Sequence, residues 1–324
     1  MLFRSVIEPR EEFLQAMAQS QCKYYPFAVS GKRIRVSGVE DSEKKSQNLQ
    51  TLVRKLVQKD QSANPPNSLV ENIISNLPVR RQKALFIVNS YDQCDIVWKE
   101  IQRVNPELAE NTMKLTRGIN YFEQDGSTLS RTELPGFGSE GATILIVPLQ
   151  TIERGYNILN DEDKAAFGSI HFLVRPMPHP EDFMINVHKL NGWACQFLTQ
   201  NTISEPLHVF GLKFRAKANL YWKDLFDGWK YYKRLEVDAR NALLTDTFAL
   251  FLQVIGRTIR GNVPTQVYFH DGAFMIERND TEYESLLMGL AGLEKNLLVG
   301  DAYMPLLKLL YDPFFKLFKE FTEV

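Results

Sequence analysis

The sequence predicts an α/β fold built on a mainly parallel sheet flanked by helices. Near-continuous apolar runs occur four times: ALFIVNS (Ala84–Ser90), TILIVPL (Thr143–Leu149), SIHFLVRPMP (Ser169–Pro178) and TQVYFHD (Thr265–Asp271). Helical stretches separate them, the clearest running from Tyr91 to Val104. Strands buried on both faces of a parallel sheet read this way, because helices cover them above and below. Each run also ends in polar residues. Ligands of such sheets sit beyond the C-terminal ends of the strands, where Asn89-Ser90, Gln150-Thr151, Arg175 and His270-Asp271 fall.

Taken in order, residues 1–81 form a weakly patterned N-terminal extension. Within it KRIRVSGV (Lys32–Val39) reads as a short strand. Ser46–Lys59 carries Leu49, Leu52, Val53 and Leu56 at helical spacing. DQSANPPNS (Asp60–Ser68) is a turn-rich break, and SLVENIISNL reopens a helix behind a Ser cap. Residues 82–186 then supply three of the four strands. The stretch before the fourth is too long for one crossover helix, so residues 187–237 read as a helical insertion. A long helix (Asp238–Arg260) returns to the sheet, and residues 238–275 complete it. Residues 276–324, ending in MPLLKLLYDPFFKLFKEF, read as a helical tail whose Leu and Phe stripe packs on the sheet or fills a partner's groove.

Composition narrows the classes of function. Among 324 residues, 38 Lys or Arg stand against 39 Asp or Glu, a net charge of −1. A generally basic nucleic-acid protein is excluded, so any such contact is a local patch. Mean hydropathy is −0.25, and no apolar run approaches the roughly 18 residues of a membrane span. The N-terminus MLFRSVIEPREEF has acids where a secretion signal needs apolar residues. Cys22, Cys94 and Cys195 are scattered, without metal-ligand or disulfide spacing, and a reducing cytoplasm fits them. The five His show no HExxH pattern.

The segment with the most chemical information is QVIGRTIRG (Gln253–Gly261). On a helix Gln253, Gly256, Arg257 and Arg260 share one face, while Leu252, Ile255 and Ile259 take the opposite stripe. Two guanidiniums one turn apart form a forked donor array matched to phosphate. Glycine inside a helix costs about 1 kcal/mol relative to Ala, which suggests that another backbone approaches it. The competing reading is a surface helix with two solvated arginines.

The segment resembles motif VI (QxxGRxxR) of superfamily 2 helicases, and further matches follow in the family's order. ALFIVNSYDQC (Ala84–Cys94) resembles motif IV. ILIVPLQTIERGYNI (Ile144–Ile158) resembles motif V, with Gln150, Thr151, Arg154, Gly155 and Asn157 at its polar positions. SIHFLVRPMPHPEDF resembles the strand and Pro-rich turn between motifs V and VI, and PTQVYFHDGAF the strand that follows motif VI in the branch containing XPD and DinG. The resemblance covers about Ala84–Phe274. It implies a RecA-like second motor domain, the C-terminal half of an ATP-driven helicase or translocase. Arg257 and Arg260 would then be arginine fingers toward the γ-phosphate, with Gln253 coupling that contact to motion. Arg154, Gly155, Asn157 and Gly256 would line the nucleotide side, Gly155 letting the domain close on its partner.

The departures are as informative. No segment reads GxxxxGK[ST], and SGKR (Ser30–Arg33) lacks both the leading Gly and the hydroxyl. Asp161-Glu162 has no hydrophobic strand before it and reads as a solvated loop. Without a Lys clamp or a carboxylate for Mg²⁺, phosphoryl transfer loses most of its electrostatic stabilisation. The chain is therefore expected not to hydrolyse ATP alone. The resemblance implies that ATP and Mg²⁺ are shared with a first RecA-like motor domain, either missing from this chain or carried on a separate subunit.

Single-stranded DNA or RNA is the second expected partner. Asn89-Ser90 and Gln150-Thr151 sit where strand meets helix, and MKLTRG (Met113–Gly118) offers a third turn through Thr116 and Arg117. Ordinary N-capping is the alternative for each. In the insertion, LKFRAKANLYWKDLFDGWKYYKRL (Leu212–Leu235) interleaves basic and aromatic residues. Such mixing suits a single strand, or a helical arch whose rings pack together while its lysines are solvated. The competing function is a non-enzymatic RecA-like scaffold or partner-binding subunit of a nucleic-acid-processing complex, with Leu286–Phe318 docking the partner. A dinucleotide enzyme is disfavoured because no GxGxxG occurs.

Overall fold

The computed structural model describes residues 11–117, 126–153, 156–176, 183–201, 205–227, 237–275, 286–287 and 289–290. Most of the expected tail therefore lies outside the described residues, as do Arg154, Gly155 and the segment from Trp229 to Arg234. The chain divides into two compact units, one of Met1–Pro176 with Phe248–Val324 and one of Met177–Thr247.

The first unit is built on seven parallel strands. In chain order they are β1 (Gln21–Tyr24), β4 (Ala84–Val88), β5 (Thr112–Leu115), β6 (Thr128–Leu129), β7 (Ile144–Pro148), β8 (Ser169–Phe172) and β9 (Gln266–Phe269). A separate two-residue hairpin pairs β2 (Ala28–Val29) with β3 (Lys32–Arg33). The sheet order is β1-β9-β8-β4-β7-β5-β6, and every pairing in it is parallel. The four expected runs are thus the four central neighbours β9, β8, β4 and β7. All of β4, β7 and β8 is buried. This is the helix-flanked parallel α/β sheet expected of a RecA-like domain.

Burial alternates between the two faces. Phe86, Val88, Ile144 and Ile146 turn toward one layer, where they meet the apolar stripes of α2 (Ser42–Val57) and α4 (Tyr91–Val104). On α2 that stripe is Leu49, Leu52, Val53, Leu56 and Val57, the i, i+3, i+4, i+7 pattern of a core-facing helix. Asp41 caps α2 by accepting from the Glu43 and Lys44 amides, so the helix starts one turn earlier than its apolar spacing shows. The next helix, α3 (Leu69–Ser75), opens with a full capping box between Ser68 and Glu71. On β8 and β9, Phe172 and Phe269 meet Phe251 edge-on at 4.8 and 5.5 Å. Phe251 lies on α9 (Val237–Thr258), and burying such a ring contributes about 1.5–3 kcal/mol.

One expected element is shorter than its sequence suggests. Of Lys32–Val39 only Lys32 and Arg33 pair as a strand. Ile34 and Val36 are buried; Ile34 still bonds through its backbone to Phe27 and Gly272, but at Val36 a side chain takes the place of a ladder. The Asp271 carboxylate accepts from the amides of Val36, Ser37 and Ala273, each at 2.9 Å, and from Arg175 at 3.2 Å. Those bonds satisfy a fully buried carboxyl group and tie the segment to the end of β9.

The first unit also contains α1 (Glu11–Gln19), α5 (Pro106–Glu110) and α6 (Leu149–Glu153). Beyond β9, Leu286, Leu287 and Leu290 are buried. The second unit contains α7 (Phe183–Gln200), α8 (Leu207–Asp227) and α9 up to Thr247. Trp193 and Phe197 of α7 pack against Phe210, Phe214 and Tyr221 of α8, with Trp193 stacked on Tyr221 at 5.6 Å. Lys189 pairs with Asp246 at 2.7 Å. For these rings the packed-arch alternative describes the arrangement.

Candidate phosphate and nucleic-acid sites

Parallel strands place their C-terminal ends along one edge. Four spatial neighbours, β4, β7, β5 and β6, there deliver Asn89-Ser90, Gln150-Thr151, Thr116-Arg117 and Ser130-Arg131. Six of these eight residues are the ones expected to contact nucleic acid, and the sheet brings them together. Asn89 donates from its backbone to Gln93 Oε1 (2.8 Å) and from Nδ2 to the Arg175 carbonyl (2.9 Å). Its Oδ1 is buried with no hydrogen-bond partner among the described residues. Ser90 caps α4 by accepting from the Gln93 amide at 3.2 Å, so the capping alternative holds for it. Gln150 is exposed and Thr151 buried.

Tyr91 joins the row together. Its hydroxyl lies 3.2 Å from Thr151 Oγ1 and accepts from Arg131 Nε at 2.8 Å. The guanidiniums of Arg117 and Arg131 sit 5.5 and 5.8 Å from its ring centroid. Sequence reasoning assigned neither Tyr91 nor Arg131. Tyr91 directly follows a recognisable cap, but Arg131 follows a strand of two residues, too short to carry a period.

Arg175 and His270-Asp271 also fall at this edge, yet internal bonds occupy the latter two. His270 Nδ1 contacts the Tyr25 carbonyl (2.9 Å), His270 Nε2 contacts His171 Nδ1 (3.0 Å), and His171 Nε2 contacts Ser169 Oγ (3.1 Å). A carbonyl can only accept, so the chain has one assignment: His270 donates to Tyr25, His171 donates to His270, and Ser169 donates to His171. Burial pushes the His270 imidazole down to about 4, and burial followed by the neighbouring His270 holds His171 well below the usual range.

The QVIGRTIRG residues lie near the opposite ends of the strands. Helix α9 stops at Thr258, and Gly261 (φ 77°) and Asn262 (φ 56°) turn the chain through left-handed backbone. The helical-face argument therefore holds for Gln253, Gly256 and Arg257 but not for Arg260, which sits in the turn beyond the helix. Arg260 and Gln253 are exposed. The Arg260 carbonyl accepts from the Ala165 amide at 2.9 Å. Arg257 is half-buried, and its Nη1 donates to the Tyr156 carbonyl. Asn157, next along the motif V-like segment, is exposed. Among the described residues, nothing beyond its own helix lies within 4 Å of a Cβ built on Gly256, so none of them makes the close approach that was expected there.

Beneath this turn lies Arg81, which sequence reasoning also passed over. It is buried, and its guanidinium donates to the carbonyls of Ala165 (2.9 Å), Thr258 (2.7 Å), Phe167 and Pro264. Burial lowers its pKa to about 10, so it stays charged at neutral pH. A cation at the last-turn carbonyl of α9 also complements the helix dipole. Asp161 and Glu162 are exposed, with Glu162 paired to Arg80 at 2.7 Å and Lys164 at 3.2 Å.

Among the described residues no cluster of His, Cys, Asp and Glu could hold a metal ion, and no helix is long and apolar enough to cross a membrane. No protein-family model and no curated protein matches the chain.

Proposed function

We propose that the chain is the C-terminal half of an ATP-dependent superfamily 2 helicase or translocase, acting in the cytoplasm. It would supply Arg257 and Arg260 to an ATP site completed by a first motor domain, and part of a single-strand track. The carrying observation is the row Asn89-Ser90, Gln150-Thr151 and Thr116-Arg117 along one edge of the parallel sheet that also bears QVIGRTIRG. The two sets occupy different ends of the strands, which suits a machine that holds nucleotide and strand apart.

The chemistry of the donors fits ATP in part. Arginine only donates, so Arg257 and Arg260 suit the oxygens of a γ-phosphate and not Mg²⁺, whose carboxylate ligand would come from the other domain. When bound, ATP and Mg²⁺ supply the transferable phosphoryl group and neutralise its charge. On domain closure Arg257 would exchange the Tyr156 carbonyl for a phosphate oxygen, and Gln253 would report that contact along α9. An arginine finger is worth on the order of 10³–10⁵ in rate.

The test is ATP hydrolysis by the chain alone, then with candidate first motor domains and single-stranded DNA present. Silence alone, turnover in the mixture and its loss with Arg257→Ala are expected. Normal turnover by that variant removes the assignment. Tight partner binding indifferent to Arg257, without turnover, would instead favour the scaffold reading.

A further inference from the structure

We propose that Arg117 and Arg131, posed by Tyr91, form a two-arginine seat for a phosphodiester of a single strand. The inference rests on the nucleic-acid part of the reading above and adds Tyr91 and Arg131, which the sequence did not point to, to Arg117. Four strands adjacent in the sheet each contribute one member: Tyr91 follows β4, Thr151 follows β7, Arg117 follows β5 and Arg131 follows β6. This is the carboxyl edge where open parallel sheets hold their ligands.

Both arginines are exposed, and neither forms an ion pair with a carboxylate among the described residues. Nearby Lys114 differs, because Asp95 neutralises it at 2.6 Å. Both guanidiniums lie near the centre of the same aromatic ring, at 5.5 and 5.8 Å. Two cations on one ring, without a carboxylate partner among the described residues, create a local demand for an anion. Arg131 is also rigidly presented. It lies in a turn closed by Ser130 N donating to Glu133 Oε2 (2.8 Å), and its Nε is anchored on Tyr91 Oη. That bond leaves its terminal nitrogens to turn toward the ligand. The hydroxyl of Thr151, held by Tyr91, completes the seat. Tyr91 is thus a positioning residue, its ring engaged by guanidiniums rather than presented to a base.

The test is fluorescence anisotropy of the whole chain with labelled oligothymidylate and oligoadenylate across a salt series. Arg131→Ala and Arg117→Ala should each weaken binding about tenfold at low salt and flatten the slope of log K against log salt by about 0.7, equally on both oligonucleotides. Tyr91→Phe should weaken binding in the wild-type background and add little to Arg131→Ala. Both arginines are exposed, so thermal melts should be unchanged. Binding by the wild type with an unaltered slope in Arg131→Ala overturns the seat and leaves the track standing. A loss confined to one oligonucleotide would show base stacking and overturn it too. Absence of wild-type binding to either strand would defeat the track itself, and the seat with it.

Discussion

His171 Nδ1 donates to His270 Nε2 across 3.0 Å in the interior of the sheet, linking β8 to the end of β9. Phe27 and Tyr268 stack on these imidazoles, at 5.5 and 4.8 Å. A proton on His270 Nε2 would break the shared bond and leave a buried cation.

The pair should make stability fall in acid. An unfolded His takes up its proton below about pH 6.5, whereas folded His270 does so only below about 4. Between those values the unfolded chain binds more protons, so stability is full above pH 6.5 and drains away as pH falls toward 4. His270 alone accounts for about 3 kcal/mol over that window, and His171 acts in the same direction. Urea unfolding at several pH values measures this. Gln at position 270 can keep both bonds without titrating, so His270→Gln should lose far less stability between pH 7 and pH 4.5. An equal loss would show that carboxylates dominate.

Arg81 and Thr258 form the second testable link, at 2.7 Å. Arg81→Met fills similar volume but leaves four carbonyls short of a donor, two of them, Thr258 and Pro264, in the segments that lead into and out of the arginine turn. Destabilisation of about 3–5 kcal/mol is expected, the range for breaking a buried polar pair. Arg81→Lys keeps the charge but not the fork, and should lie between. Denaturant titration decides; a loss below about 1 kcal/mol in Arg81→Met would mean that water replaces the guanidinium.

How much of this could be read in the residues depended on burial. The central strands are buried on both faces and appear as unbroken apolar runs. Flanking β1 (QCKY), β5 (TMKL) and β6 (TL) are short or half exposed and carry no such run. Their absence from the sequence reading hid Arg131, whose position follows only from β6 pairing with β5. Cap chemistry at Ser68 and Ser90 is local and was legible. Long-range bonds were not: nothing near Asp271 or Arg81 in the chain announces partners such as Val36, 235 residues away, or Thr258, 177 away. The helix ends at Thr258, where Gly261 marks the turn, whereas the i, i+3, i+4, i+7 spacing alone carries the helix through to Arg260.

Gly256 separates packing within this chain from docking by another. It lies inside α9 with ordinary helical backbone, and an added Cβ meets nothing within 4 Å among the described residues. Alanine there removes the backbone entropy that glycine loses on folding, a gain of about 0.5–1 kcal/mol. Gly256→Ala should therefore raise the melting temperature by a few degrees. If a first motor domain brings its backbone against this surface, the same methyl should lower ATP turnover in the assembled motor. A variant that is more stable yet slower in the mixture would locate the docking face beside Arg257. Full turnover would mean that no partner approaches Gly256, and a lowered melting temperature would mean that the chain itself needs the space.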